Sequence, residues 1–93
     1  MFSLLMEVHG AEGAFVMNYA GRALQVRGKA FHSPLPKVVR GELENGPLTL
    51  CVEGGGVLAL GQVGEDAILV GVFPAGTSEH FAAAAVQAIL FVL

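Results

Sequence analysis

The 93-residue chain has no tryptophan, a single cysteine (Cys51) and few charged residues, which make up only 14% of the sequence. One cysteine cannot form a disulfide within the chain, which suits a reducing compartment and predicts a cytoplasmic protein. A typical soluble domain has roughly 25% charged residues, so this surface has less of the charge that keeps monomers apart. We therefore expect the protein to associate with itself or with another chain.

Basic residues are also scarce, with five lysines and arginines against eight acidic residues and a net charge of −3. Nucleic-acid binding depends on a strongly basic surface, so nucleic acid is not expected as the main ligand. No segment reaches the roughly 18 to 20 apolar residues of a membrane-spanning helix. The beginning of the chain lacks the basic segment and the long apolar core of a signal peptide. At this length we expect one domain, residues 1–93, with no integral membrane segment.

The pattern of apolar residues predicts an α+β fold. Residues 4–8 have helical spacing, and two β-rich runs, 14–19 and 23–27, flank a turn and predict a hairpin. Pro34 and Pro36 exclude a helix interior, although Pro36 could begin a short helix over 37–40. Three further strands are predicted over 48–53, 57–63 and 67–73, the last covered on both faces. The result is a five-stranded, mainly antiparallel sheet with a short N-terminal helix and a long apolar C-terminal helix capped by Thr77 or Ser78.

The C-terminal helix is apolar almost all round, because residues 81–93 contain one polar side chain, Gln87. Such a helix must be buried on most sides, and a domain of this size rarely buries a whole helix by itself. We predict that Phe81, Ala85, Ala88 and Val92 pack on the sheet. We predict a second chain on the other face and on the strand edge at 48–53. The predicted interface residues are Leu48, Leu50, Val86, Ile89, Leu90 and Leu93.

The residue types that could carry catalysis or bind a metal fit structural roles better. Cys51 lies beside Glu53 in its predicted strand, whereas a catalytic cysteine needs a basic setting that lowers its pKa. The three histidines lie far apart in the sequence and do not form a metal-binding pair. The three glycines at 54–56 join two strands and lack the Gly-Lys-Ser/Thr of a phosphate loop. We therefore predict a non-enzymatic protein with no cofactor and no metal.

The basic residues are clustered in sequence, since all five fall between positions 22 and 40, where no acidic residue occurs. A positive edge of this kind could face an acidic partner or an anionic membrane surface. A solvated face is the alternative, because exposed strand and connector residues are often charged. The residues of this predicted partner-facing patch are Arg22, Arg27, Lys29, Lys37 and Arg40.

The segment from Leu4 to Gly21, LLMEVHGAEGAFVMNYAG, resembles the opening of the Roadblock/LC7 family, including its MglB-like bacterial members. That family begins with a Leu-rich helix, a Gly-Val-x-Gly-Ala-type segment, an apolar strand and an Asx-x-x-Gly turn, here Asn18 to Gly21. The second half, Leu48 to Leu93, is similar in element order. The resemblance implies a homodimeric scaffold or regulatory subunit that holds or repositions the switch loops of a Ras-like small GTPase, or that belongs to a larger protein complex.

The chain departs from that family between the second and third strands. The family has a long helix there, which helps to form the homodimer and the partner-docking face. This sequence instead has Pro34, Pro36 and Gly41, which leave room for a turn or two of helix. Longin and profilin-like domains share much of the same pattern. The alternative is therefore a profilin-like domain that binds a small ligand between sheet and helix.

Overall fold

The computed structural model describes residues 4–18, 20, 22–28, 41–52, 56–65 and 67–91. Its five strands form one antiparallel sheet in the order β2-β1-β5-β4-β3. The predicted α+β fold, with a short N-terminal and a long C-terminal helix, is confirmed. The elements are an N-terminal π-helical turn (Leu4–Val8), β1 (Gly13–Asn18), β2 (Ala23–Gly28), β3 (Leu48–Cys51), β4 (Val57–Val63), β5 (Ala67–Phe73) and the C-terminal helix (Glu79–Phe91).

The predicted β1–β2 hairpin is present, with a turn that is held by Asn18. The Asn18 side-chain oxygen accepts hydrogen bonds from the backbone N–H groups of Ala20 and Arg22, each at 3.0 Å. The Asn18 backbone N–H donates to the Arg22 carbonyl oxygen at 3.0 Å. An asparagine that bonds the backbone two residues ahead closes a turn by itself, so this residue fixes where the two strands meet.

Strand β5 lies at the centre of the sheet, as its apolar sequence predicts, and residues 68–73 are all buried. Alternate side chains of the central strands enter two separate cores. The core under the C-terminal helix includes Ala14, Ala59, Leu69 and Phe73. The core on the opposite face includes Phe15, Leu60, Ile68, Val70 and Leu43. Residues 41–43 are helical, and the short helix predicted over 37–40 lies outside the described residues.

The C-terminal helix begins after Ser78, whose hydroxyl oxygen accepts a hydrogen bond from the backbone N–H of Phe81 at 3.0 Å. This contact satisfies one of the unpaired N–H groups of the first turn, so Ser78 is the cap. The helix then packs on the sheet through Ala82, Ala85, Val86 and Ile89.

The predicted orientation of this helix is therefore corrected. Phe81 is 50% exposed and Ala88 is exposed, although both were expected on the sheet. Val86 and Ile89 were expected to face a second chain, but their exposed fractions are 0% and 2%, so they belong to the chain's own core. Of the predicted packing face, only Ala85 is confirmed among the described residues. Val92 and Leu93 lie outside the described residues.

Two glycines of the sheet explain why Val86 is the side chain that is buried. A Cβ atom on Gly61 would lie 2.8 Å from Val86 Cγ1 and 2.6 Å from Leu90 Cδ1. A Cβ on Gly71 would lie 2.9 Å from Phe73 Cε2 and 3.6 Å from Val86 Cγ2. The missing side chain at Gly61 leaves a groove in β4 that Val86 and Leu90 fill, whereas the space at Gly71 is filled mainly by the Phe73 ring. The rotation of the helix fits this groove, which its own apolar pattern does not reveal.

Candidate functional site

Among the described strands, β2 and β3 lie at the two edges of the sheet. An edge strand has a row of unpaired backbone N–H and C=O groups that can pair with another chain. The sequence predicted β3 as such an edge, and this is its position. These two edges are therefore the first candidate functional surfaces in the part of the chain that the structure describes.

The β3 edge carries two of the predicted interface residues on one face. Leu48 is opposite Leu60 and Leu50 is opposite Leu58 in the ladder with β4. Leu60 and Leu58 belong to the core opposite the C-terminal helix, so both β3 leucines point to that face. Leu48 is half-buried, whereas Leu50 is 39% exposed. An apolar side chain is thus already exposed where a second strand would be added.

Cys51 ends β3 and lies on the other face, opposite Val57. Its thiol donates a hydrogen bond to the Glu79 Oε1 atom at 3.1 Å. This hydrogen bond, together with the charge of the Glu79 carboxylate, raises the pKa of the Cys51 thiol. The thiol therefore stays protonated near neutral pH and is a poor nucleophile. The sequence attributed this effect to Glu53, which lies outside the described residues, and missed Glu79.

The β2 edge is exposed over residues 24–28. Leu24 is 55% exposed and Val26 is 47% exposed, and Gln25, Arg27 and Gly28 are exposed as well. Arg22, at the end of the preceding turn, is also exposed. Arg22 and Arg27 are the members of the predicted basic patch that the structure describes. Lys29, Lys37 and Arg40 lie outside the described residues.

The outer face of the C-terminal helix is a third apolar surface. Phe91 is 79% exposed, and Ala84 and Ala88 are exposed beside it. Leu90, a predicted interface residue, is half-buried against the core under this helix. Phe81 packs edge-on against His9 and Phe73, with ring centroids 6.2 and 6.5 Å apart. The helical periodicity indicated this surface, but two of the residues that it assigned there, Val86 and Ile89, are buried.

Two shallow depressions lie beside Pro47, which precedes β3. One has a volume of about 280 Å³ and is lined by Glu42, Asn45, Gly46, Pro47 and Leu48. The other, of about 270 Å³, is lined by Pro47, His80, Ala83, Ala84 and Gln87. Both are open to solvent, unlike the largely enclosed sites that bury most of a small ligand.

Neither a metal site nor a membrane-spanning helix is found in the part of the chain that the structure describes. No three His, Cys, Asp or Glu side chains there are grouped so that they could hold a metal ion. None of the helices in the described ranges has the length and apolar character needed to cross a bilayer.

Comparison with known proteins gives matches only at the level of structure. No protein-family model matches the chain, and no curated protein matches it. Among solved structures it is similar to the gliding protein MglB of Thermus thermophilus, with a TM-score of 0.58 and 18% identity over 98% of this chain and 84% of that one. It is also similar to MglC of Myxococcus xanthus, with a TM-score of 0.61 and 14% identity over 94% of both chains.

The fold is shared with a eukaryotic protein as well. Acanthamoeba castellanii profilin IB superposes with a TM-score of 0.65 and 18% identity, over 97% of this chain and 90% of that one. At these identities the matches establish the fold, which is common to MglB, MglC and profilin. A shared fold does not carry a function with it, because function depends on the residues of the site.

Proposed function

We propose that this protein is a non-enzymatic interaction module of the cytoplasm: a homodimeric scaffold or regulatory subunit that binds a Ras-like small GTPase. The observation that carries this proposal is the open β3 edge with Leu50 exposed on it. The likeness in fold to MglB and MglC supports it. One MglB structure with this fold is described as having a tetrameric arrangement, which supports self-association.

The dimer that we propose joins the β3 strands of two copies in antiparallel register about a two-fold axis at Leu50. The two sheets then become continuous, and both C-terminal helices lie on the same face. In this register Leu50 lies opposite Leu50 of the second copy, and Leu48 lies opposite Val52 of the second copy. Apolar cross-strand pairs of this kind contribute about 0.2 to 1 kcal/mol each. The backbone hydrogen bonds of the added strands supply further binding energy.

The proposed action on a GTPase is positional. Glu79 raises the pKa of the Cys51 thiol, which makes the thiol a poor nucleophile. A protein of this kind changes GTP hydrolysis by holding the switch loops in one conformation. An arginine supplied in trans is the other way to accelerate hydrolysis, and Arg22 is exposed on a turn that Asn18 holds.

Affinity purification of the tagged chain from the cells that produce it tests this proposal. We expect mass spectrometry to identify a Ras-like GTPase, recovered in a manner that depends on whether GTP or GDP is added. With the purified pair, we expect the chain to change the rate of GTP hydrolysis. The Arg22→Ala variant should retain that effect if the mechanism is positional. Recovery of no GTPase in either nucleotide state would overturn the proposal.

Small-ligand binding of the profilin-like type is the alternative from the sequence, but the depressions described here do not favour it. The larger of the two is open and lies over a surface turn. The other has only His80 and Gln87 as polar side chains. A small-ligand site normally combines enclosure with several convergent polar groups.

A further inference from the structure

The chain has two asparagines, Asn18 and Asn45, and the structure places them in different surroundings. Asn18 is held in the hairpin turn, because its side-chain oxygen accepts two backbone hydrogen bonds. Asn45 is exposed in the turn that leads into β3. Asn45 is followed by Gly46, whereas Asn18 is followed by the bulky Tyr19. The two sites therefore differ in how freely the asparagine amide can react with the next backbone nitrogen.

Gly46 leaves the Asn45 amide open to attack. The Gly46 φ angle is +136°, a conformation that favours glycine. Apart from its chain neighbours, no atom of the described residues lies within 4 Å of the position that a Gly46 Cβ would occupy. The Gly46 backbone N–H donates to the Leu43 carbonyl oxygen at 3.2 Å, the long end of the usual N–H···O range. Leu43 ends the helical segment 41–43, and helix ends fray, so the attacking nitrogen is weakly held.

We propose that Asn45 is a site of spontaneous deamidation and that this modification weakens the β3 pairing. The Gly46 nitrogen loses its proton to a solvent base and attacks Asn45 Cγ, so that an N–Cγ bond forms. The Cγ–Nδ2 bond then breaks, and ammonia leaves with a proton from solvent, which produces a cyclic succinimide. Water opens this ring at Cγ to give aspartate, or at the Asn45 carbonyl carbon to give isoaspartate. The net reaction consumes one water molecule and releases one ammonia, with no oxidation or reduction.

The modified residue lies next to the proposed dimer contact. Asn45 and Gly46 line the same surface depression as Leu48, the first residue of β3. In the proposed register Leu48 lies opposite Val52 of the second copy, so the turn lies at the rim of the interface. The effect on pairing rests on the proposed function, because the β3 dimer is what makes this turn a regulatory position.

Both products disfavour that contact. Each adds a negative charge beside Glu42 and Glu44 at the rim, in a chain whose net charge is already −3, and like-charged copies repel each other. Isoaspartate also continues the main chain through Cγ, which inserts one extra atom before Pro47. Strand β3 begins directly after Pro47, and strand pairing depends on register. We expect the dimer dissociation constant to rise about two- to fivefold, the range of one surface charge interaction.

Peptide mapping of the full, folded chain tests the chemistry. Incubation in mildly alkaline buffer is followed by digestion after glutamate, which releases residues 45–53 as one peptide. We expect this peptide to convert to its aspartate and isoaspartate forms, whereas the peptide that contains Asn18 stays unmodified. Digestion in water enriched in heavy oxygen marks any deamidation that occurs during the digestion itself. An Asn45 that is stable in the folded chain, or that is modified no faster than Asn18, would overturn the inference.

Three variants connect the modification to the dimer. Asn45→Gln keeps an amide on a longer side chain whose ring closure is slower, so its dimer should persist while the wild type loses its own. Asn45→Asp has the charge of the first product and should raise the dissociation constant about two- to fivefold from the outset. Gln25→Glu adds the same charge at an exposed position of the β2 edge and should leave the dimer unchanged. Equal weakening by Gln25→Glu would reduce the effect to net charge and overturn the inference.

Light scattering on fresh and incubated samples separates this inference from the proposed function. A dimer that persists after Asn45 has been converted would contradict the inference and leave the proposed function intact. A fresh chain that is already a monomer would instead contradict the proposed dimer, and with it the effect on pairing. In that case the peptide map still decides, by itself, whether Asn45 is the modification site.

Discussion

The Cys51 thiol at the end of β3 donates a hydrogen bond to a carboxylate oxygen of Glu79, which begins the C-terminal helix, at a distance of 3.1 Å. The two residues are 28 positions apart in the sequence. Their contact ties the first turn of the helix to an open edge of the sheet. It also raises the pKa of the one thiol of the protein, which is exposed.

The first prediction concerns the reactivity of that thiol. Glu79 raises the pKa of Cys51 above its ordinary value of 9.0 by a hydrogen bond and by its charge. The Glu79→Gln variant removes the charge, so the pKa should fall and the thiolate fraction at pH 8 should rise. We expect faster alkylation by iodoacetamide at that pH, with a pH–rate profile shifted to lower pH. Glu44→Gln, another exposed acid, is the control and should leave the profile unchanged. An unshifted profile in Glu79→Gln would contradict the assignment.

The second prediction concerns the groove that receives Val86. A methyl group at Gly61 would overlap with Val86 and Leu90, and overpacking of a core typically costs about 1 to 3 kcal/mol. Gly61→Ala should therefore lower the free energy of unfolding by that amount, as measured by urea denaturation. Gly41→Ala is the matched control, because nothing lies within 4 Å of its Cβ position and its backbone is helical. This variant should be neutral or slightly stabilising. Equal stability of the two variants would show that the helix does not pack as described.

The third prediction concerns the dimer. Leu50→Asp places a charge opposite its own copy in the proposed β3 pairing, so the molar mass from light scattering should fall to that of a monomer. Leu24→Asp makes the same change at the other edge and should keep the dimer. Circular dichroism of both variants should match the wild type, since both leucines are exposed. A dimer that persists in Leu50→Asp would move the interface elsewhere, with the outer face of the C-terminal helix as the next surface to test.

The fourth prediction concerns the corrected orientation of the C-terminal helix. Ile89 of this helix is buried in the core between the helix and the sheet, whereas Phe91, two residues later, is 79% exposed. Truncation of a buried isoleucine typically costs about 2 to 5 kcal/mol, so Ile89→Ala should lose that much stability in urea denaturation. Phe91→Ala should change the stability by less than about 0.5 kcal/mol, as is usual for surface substitutions. The opposite order of effects would restore the orientation that the sequence pattern favoured.

The elements of this fold could be predicted largely from local sequence features. The predicted β4 and β5 strands match the structure in their bounds, and the hairpin follows from Asn18 and the alternation after it. The predicted strand at 48–53 is shorter in the structure and ends at Cys51. Beyond it, the backbone N–H of Val52 donates to the Gly56 carbonyl oxygen at 2.9 Å. These features are readable because they depend on side chains a few residues apart.

The candidate surfaces were predicted less well. The edge position of β3 and the exposure of Leu50 agree with the sequence interpretation. The placement of Val86 and Ile89 at an interface does not, because both are core residues. The sequence predicted the basic patch as a cluster of positions. It did not predict that Arg27 of this patch lies in an edge strand whose Leu24 and Val26 side chains are exposed.

The sequence by itself determined the kinds of element, their order and the apolar character of the last helix. Each of these depends on residues within one turn or one strand of each other. The tertiary structure alone decided which face of that helix is buried, which acid meets Cys51 and that β2 is the second edge of the sheet. A helix that is apolar all round contains no local signal for its rotation. Its rotation fits the sheet beneath it, where Gly61 of β4 leaves the space that Val86 and Leu90 fill.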